Sequence, residues 1–560
     1  MKKKTEYPEQ LLVGTDAEVT RNPVVNTDLT PYSGPWTFEQ ATHLLRRTMY
    51  GPTYNQIKWS VEQGLEATLD HLFEPLPLPD PPVNHRYEQD PVVPVGETWI
   101  NAPYPDPGPV LTETIGYRNQ SLVSWTMGIL TNEGISIREK LTLFWHNHFP
   151  INSILDAKFR YRYIHLLRGN ALGNFRELVK AITIDPSMLR VLDGRLNNRE
   201  APNENYAREL LELFTIGKGP QVSPGDYSNY TEQDVREIAR ALTGWIDFGY
   251  AYTPEIPDGS IGALYESIRH DTGTKQLSHR FGHAQIPNLG DQEYAYVVDI
   301  IFQQPEVARF ICRKLYQWFI YYEIEPEAEA NVIEPMAQIL IDNDYEIAPA
   351  VRALLSSEHF LDPEFYGVMI KNPLDFMMSA IKPLEIEISQ DLHQQYDSWY
   401  GLFRYPTLMQ MEYYHIPEVA GWKAYYREPL FYRNWISSTT LPVRKTVTEL
   451  LANDGIRAFQ NNGIPMRADV LQFVATLDNP FDPNAVVEEF AAVLLPKALS
   501  EEQYDALKNI FLAGLPDFEW TVEYSDYVSD PQNSGLAQSI ENRLRSLLTA
   551  MLSMPEFHLI

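Results

Sequence analysis

NENYARELLELFTIG, residues 203–217, repeats its apolar side chains at the spacing of a helix rather than a strand. Tyr206, Ala207, Leu210, Leu211, Leu213 and Phe214 fall at i, i+3 and i+4 steps, which gathers them on one inward face. Glu204, Asn205, Arg208, Glu209 and Glu212 take the polar side, and Gly217 stands where a helix C-terminal cap belongs. The same period recurs in both directions along the chain. Capping boxes at Thr37 with Gln40, Ser136 with Glu139 and Thr231 with Asp234 each precede such a run, the hydroxyl taking an orphan amide while the third residue reaches back. AYVVDIIFQQPEVARFICRKLYQWFIYY, APAVRALLSS and SIENRLRSLLTAMLS extend the pattern to the end. Alternating strand patterns are scarce, so the expected fold class is mainly α: one large multi-helix globular domain over residues 36–560.

Three stretches depart from that rule. Residues 1–35 are polar and aperiodic, and read as an extended arm. Residues 75–109, with PLPLPDPP and PYPDPGP, cannot propagate helix and favour extended geometry, which predicts a long surface excursion. Residues 396–435 crowd tyrosine, tryptophan and phenylalanine into an aromatic-rich loop segment, where packing is the commoner role and stacking on a sugar or peptide the rarer one.

At 560 residues and 44% hydrophobic content the chain can bury a large core. Its 75 acidic residues against 45 basic ones leave a formal charge of −30, which opposes non-specific binding to nucleic acid or anionic membrane. Cys312 is the single cysteine, so no intramolecular disulfide forms and multi-cysteine zinc sites are excluded. Glu6, Pro8, Glu9 and Gln10 stand where the apolar part of a secretory signal would follow the basic start, so the cytoplasm is the default expectation. No apolar window is long enough for a membrane-spanning helix.

LFWHNHFP, residues 143–150, raises the question of a metal site. An α-helix turns about 100° per residue, which sets His146 and His148 about 200° apart. The two rings converge on one ion only if the helix ends before His148, and Pro150 makes an early end feasible by pushing Phe149 out of helical geometry. The alternative is one histidine satisfied in the core and one paired to a carboxylate. His270 and Asp271 in RHDTGTK offer a ligand or a general base, against a plain Asx turn into Gly273. Glu209 is the carboxylate to expect as base or ligand if its helix face looks into a cleft, and otherwise belongs to an ordinary surface ladder. His43, Arg46, Arg47, Arg208, Arg240, Lys275, Arg313 and Lys314 place cations beside apolar residues in an acidic protein; His43, Arg46, Arg47, Arg208 and Lys275 are candidates to bind an anion, each with salt-bridge pairing as the alternative. No Walker loop, dinucleotide-binding glycine motif, nucleophile elbow or HExxH occurs.

Taken together, HLLRRTMYG, KLTLFWHNHF, NENYARELLELFTIG, YTEQDVREIARALTGW and RHDTGTK, followed by IKNPLDF, IPEVAGW, NWISSTTLPVR and LSMPEFHLI, resemble the bacterial domain-of-unknown-function family DUF1800 from about residue 36 onward. The resemblance implies a mostly helical bacterial protein, export to the periplasm or beyond in many members, and a neighbouring partner similar to phosphatases and sulfatases. Two features depart from the family pattern: the missing signal, and KAYYREPLFYR (423–433), where similar proteins are short and glycine-rich. The functional expectations are a metal-assisted, hydrolase-like enzyme acting on an anionic substrate through a divalent metal ion, with a non-catalytic escort of the phosphatase-like partner and a structural surface protein as alternatives.

Overall fold

The computed structural model of the protein describes residues 28–250, 259–460 and 465–560. Most of the expected arm at 1–35 lies outside these residues. The fold is mainly α-helical, with three two-stranded antiparallel ribbons among the described residues, at Gln221–Ser223 with Asp226–Tyr227, Trp245–Phe248 with Gly262–Tyr265, and Lys275–Gln276 with Gln285–Ile286. No helix among the described residues is long and apolar enough to cross a membrane.

Local signals place most helix starts. At Phe38–Thr48, Gln40 reaches back to the Thr37 amide at 3.3 Å; at Glu232–Ala241, Asp234 accepts the Thr231 amide at 2.7 Å. The third predicted box forms only by half. Ser136 Oγ accepts the Arg138 amide at 3.2 Å, but Glu139 turns inward and takes Arg168 in two bonds of 2.6 and 2.9 Å. A buried guanidinium outcompetes a backbone amide for that carboxylate, and the helix Arg138–His148 begins without the reciprocal bond.

The stretch at 203–217 is helical but not uniformly so. Asn203 caps an α-helix over Glu204–Glu209, which widens into a π turn over Leu210–Thr215. The wide turn rotates Leu213 to a half-buried position, whereas Phe214 remains fully buried. Gly217 ends the element at φ +71°, with its amide on the Leu211 carbonyl at 2.9 Å. A Cβ there would sit 2.9 Å from the Phe310 ring, so both the backbone angle and the space require glycine.

The proline-rich excursion is fastened to the body. Trp99 is fully buried with its indole N–H on Ser121 Oγ at 3.0 Å, and Trp125 donates to the Asp80 carbonyl at 2.7 Å. The aromatic segment is not a loop throughout. Its first part lies in the helix Leu392–Leu408, which packs along Pro109–Asn132 and carries Tyr396, Trp399 and Phe403 at helical spacing. Only the part beyond Met409 is irregular, broken by 3-10 turns at Lys423–Tyr425 and Phe431–Trp435.

Candidate functional site: a cationic cavity under an aromatic wall

A cavity of about 250 Å³ opens where four helices and the irregular aromatic segment meet. The helix Arg138–His148 supplies Lys140, Phe144, Asn147 and His148, which at i, i+4, i+7 and i+8 share one face. Arg47 comes from Phe38–Thr48, and Lys314, Gln317 and Trp318 from Glu306–Phe319. Asn372 and Asp375 come from the start of Pro373–Ile381. Tyr425, Tyr426, Phe431, Tyr432 and Trp435 close one side, with Trp318 and Tyr425 centred 4.8 Å apart and Tyr322 and Phe431 4.9 Å apart. Asn147 fixes this wall by accepting the Trp422 amide at 2.9 Å; a Cβ on Gly421, whose φ is +100°, would collide with Asn147.

Positive charge dominates the cavity floor. Asp375 pairs with Lys140 and accepts the Asn372 amide at 2.7 Å, while Asn372 also caps its helix and reaches the Tyr425 hydroxyl at 3.2 Å. Arg47 donates to the Phe365 carbonyl at 2.9 Å, and its Nε and Nη1 have no acceptor among the described residues. Burial pulls its guanidinium down to about 10, against the pull of Asp375. Lys140 is lowered by burial too, again opposed by Asp375. Behind them lie Lys371, bonded to the Phe557 carbonyl at 2.8 Å, and Arg444, bonded to the Lys371 carbonyl at 2.7 Å. Burial pushes Arg444 down to about 9 and Lys371 well below the usual lysine range. The side-chain carboxylates on the cavity lining are Asp375 and, at the exposed rim, Glu428; Ile560, its backbone paired with Met369, lines it too. In a chain of charge −30 this local excess of cations is the reverse of the average.

A family model described as "Protein of unknown function (DUF1800)" matches residues 43–559. The chain belongs to the DUF1800 family. No curated protein and no solved structure matches it. The family match covers the lining residues of this DUF1800 protein's cavity from Arg47 to Trp435, and stops one position short of Ile560, which also lines it.

The residues singled out in the sequence are distributed more widely than one cleft. The helix stays regular to its last residue, His148, so the two histidines of LFWHNHFP point apart. His146 bonds through Nε2 to the Tyr413 carbonyl among Tyr163, Tyr414 and Trp422. His148 bonds through Nε2 to the Phe214 carbonyl at 3.0 Å, among Phe144, Trp145 and Phe149. A carbonyl only accepts, so each ring carries its proton on Nε2. Burial lowers His146 to about 4 and His148 well below the usual histidine range, which keeps both neutral.

His270 lies elsewhere, 3.1 Å from Glu293, which also pairs with Lys275 in a fully buried network. Asp271 takes Arg240 at 2.8 Å and the Gly273 amide at 2.8 Å, which is the Asx turn. Glu209 is half-buried at the start of the π turn and does not line the cavity; burial, then the neighbouring Glu212, raises its carboxyl. His146 and His148 are divided by regular helix geometry, and His270 and Asp271 are bonded within their own networks, so these residues and Glu209 do not share the cavity lining, which includes His148 alone of the five. Among the described residues no group of three or more His, Cys, Asp or Glu could hold a metal ion.

Of the five anion-binding candidates, Arg47 alone lines the cavity. Arg46, one residue earlier, points the other way and donates to the carbonyls of Ala492, Val493 and Leu495 at 3.1, 2.6 and 2.5 Å, closing the end of the helix Pro483–Leu494. His43 stacks on Tyr366 at 4.0 Å and bonds the Phe360 carbonyl. Arg208 takes Glu232 in two 2.8 Å bonds, and Lys275 is held by Glu293. Each of these four side chains has a partner within the folded chain, mostly one distant in sequence. Lys140, Asn372 and Asp375 are lining residues outside the expected set. Their signal lay in charged residues placed on apolar helix faces within KLTLFWHNHF and IKNPLDF.

Proposed function

We propose that this protein binds a small organic or inorganic anion in the cavity floored by Arg47, Lys140 and Lys314, as the substrate-holding part of an enzyme acting on anionic molecules. The observation that carries the reading is Arg47: a buried guanidinium on the cavity lining with two nitrogens lacking an acceptor. Each buried donor without a partner costs about 1–3 kcal/mol, which an anionic oxygen would offset. A charge-assisted bond from either free nitrogen to a carboxylate or phosphate oxygen is stronger than a neutral one, and the low-dielectric aromatic wall strengthens it further. Asp375 positions Lys140 without neutralising Arg47 and Lys314 as well.

Unfolding of the intact protein with phosphate, sulfate or pyruvate tests this. A ligand at a hundredfold excess over its Kd adds about 2.7 kcal/mol of stability. Arg47→Met should weaken binding roughly tenfold to a hundredfold, through loss of charge-assisted bonds worth about 1.5–3 kcal/mol. No stabilisation by any of these anions, or equal stabilisation of the variant, would sink the reading. The divalent-ion expectation is a separate matter, which elemental analysis of purified protein decides.

A further inference from the structure

We propose that Lys314 is a reactive amine that condenses with the carbonyl carbon of a small 2-oxo acid whose carboxylate is held by Arg47 and Lys140. This rests on the anion-binding reading and adds a covalent step to it.

Lys314 stands with Gln317 and Trp318 on the cavity face of the helix Glu306–Phe319. Its Nζ meets the Leu213 carbonyl at 3.4 Å and the Phe310 ring at 4.9 Å, and no carboxylate forms an ion pair with it among the described residues. Its neighbours on the same helix behave otherwise. Arg309 takes Glu306 and Glu334, and Arg313 takes Glu306 and Glu329. With 75 acidic residues against 45 basic ones, an unpaired, half-buried lysine beside a cavity stands out. The imidazole of His148, another lining residue, is neutral and supplies no counter-charge. Burial brings the ammonium of Lys314 down to about 8, so about a tenth is free amine at neutral pH, far more than for an exposed lysine. An amine desolvated at the edge of a cavity is the arrangement that favours attack on a carbonyl. Arg47 and Lys140 in the same small cavity favour a carbonyl compound that also carries a carboxylate.

The step balances without an oxidant. The Nζ lone pair adds to the carbonyl carbon, a C–N bond forms, and the carbonyl oxygen receives the proton that nitrogen gives up. The resulting hydroxyl takes one further proton from solvent and leaves as water while nitrogen forms the C=N bond. The products are an iminium and one water.

The test is reductive trapping on the full chain. Protein is incubated with pyruvate and cyanoborohydride at about pH 7.5, digested, and the modified lysines mapped by mass spectrometry. An exposed lysine is almost entirely protonated there, so adduct on Lys314 should exceed that on Lys445, a surface lysine 72% exposed, by at least about tenfold. Excess inorganic phosphate should suppress it, and Lys314→Arg should abolish it. Adduct on Lys314 no greater than on Lys445, with phosphate still stabilising the protein, would overturn the amine role and leave anion binding intact. Failure of both trapping and stabilisation would overturn the two readings together.

Discussion

Arg46 and Arg47 are chemically identical neighbours, and about 100° of helix rotation gives them different work. Arg46 satisfies three carbonyls at a helix end, whereas Arg47 faces a cavity with donors to spare. The sequence marked both as cations among apolar residues; which one would be satisfied depended on a helix some 450 positions away, with 449 residues separating Arg46 from Leu495. Lys140 and Asp375 were hidden for the same reason, being 235 residues apart. The asymmetry has a consequence for stability. Arg47→Met deletes a buried charge and two unpartnered donors, so the unliganded variant should be within about 1 kcal/mol of the parent or more stable. Urea denaturation without added anion measures this, and a loss beyond about 3 kcal/mol would show that the guanidinium holds the fold together.

Among the helices, patterning located the elements well and their irregularities poorly. The apolar stripe of NENYARELLELFTIG is equally compatible with α and π turns, so the switch at Leu210 left no trace in the spacing. Glu139 is the sharper case, since a box geometry legible in the sequence lost to Arg168, on the helix Ala157–Gly169. Both side chains of that pair are fully buried. Glu139→Ala should therefore cost about 3–5 kcal/mol by stranding a buried guanidinium, far more than the roughly 1 kcal/mol of a lost cap. Replacing both residues with apolar side chains of similar size should recover most of the loss. A single-variant cost near the cap value in urea titrations would contradict the assignment.

For the molecule as a whole, the buried histidines set a direction with pH. Burial depresses His43 and His148, and brings His85 to about 3 and His146 and His558 to about 4. The unfolded chain titrates near 6.5, so below that pH it binds protons the fold refuses, and stability falls as pH drops toward 4. Glu133, raised to about 8, and Asp185, raised to about 6, act in the opposite sense, because the fold binds their protons more readily. Asp156 and Glu209 are raised as well, but the five imidazoles outweigh these carboxyls and predict a lower urea midpoint at pH 5 than at pH 7; an equal or higher midpoint would reverse the assigned balance. Charge balance alone, read from composition, revealed none of this, since it depends on which groups are enclosed.

The helix Arg138–His148 has no outward side: Glu139 through His146, and His148, are all buried. It carries one histidine into an aromatic nest, the other to the cavity, and a carboxylate into an ion pair, so it behaves as an axle about which the remaining helices are mounted. An axle cannot be withdrawn while its mountings stay in place. Its amide hydrogens, from Leu141 to Trp145, should exchange with deuterium only when the entire molecule opens, and should report the global unfolding free energy more faithfully than those of any peripheral helix.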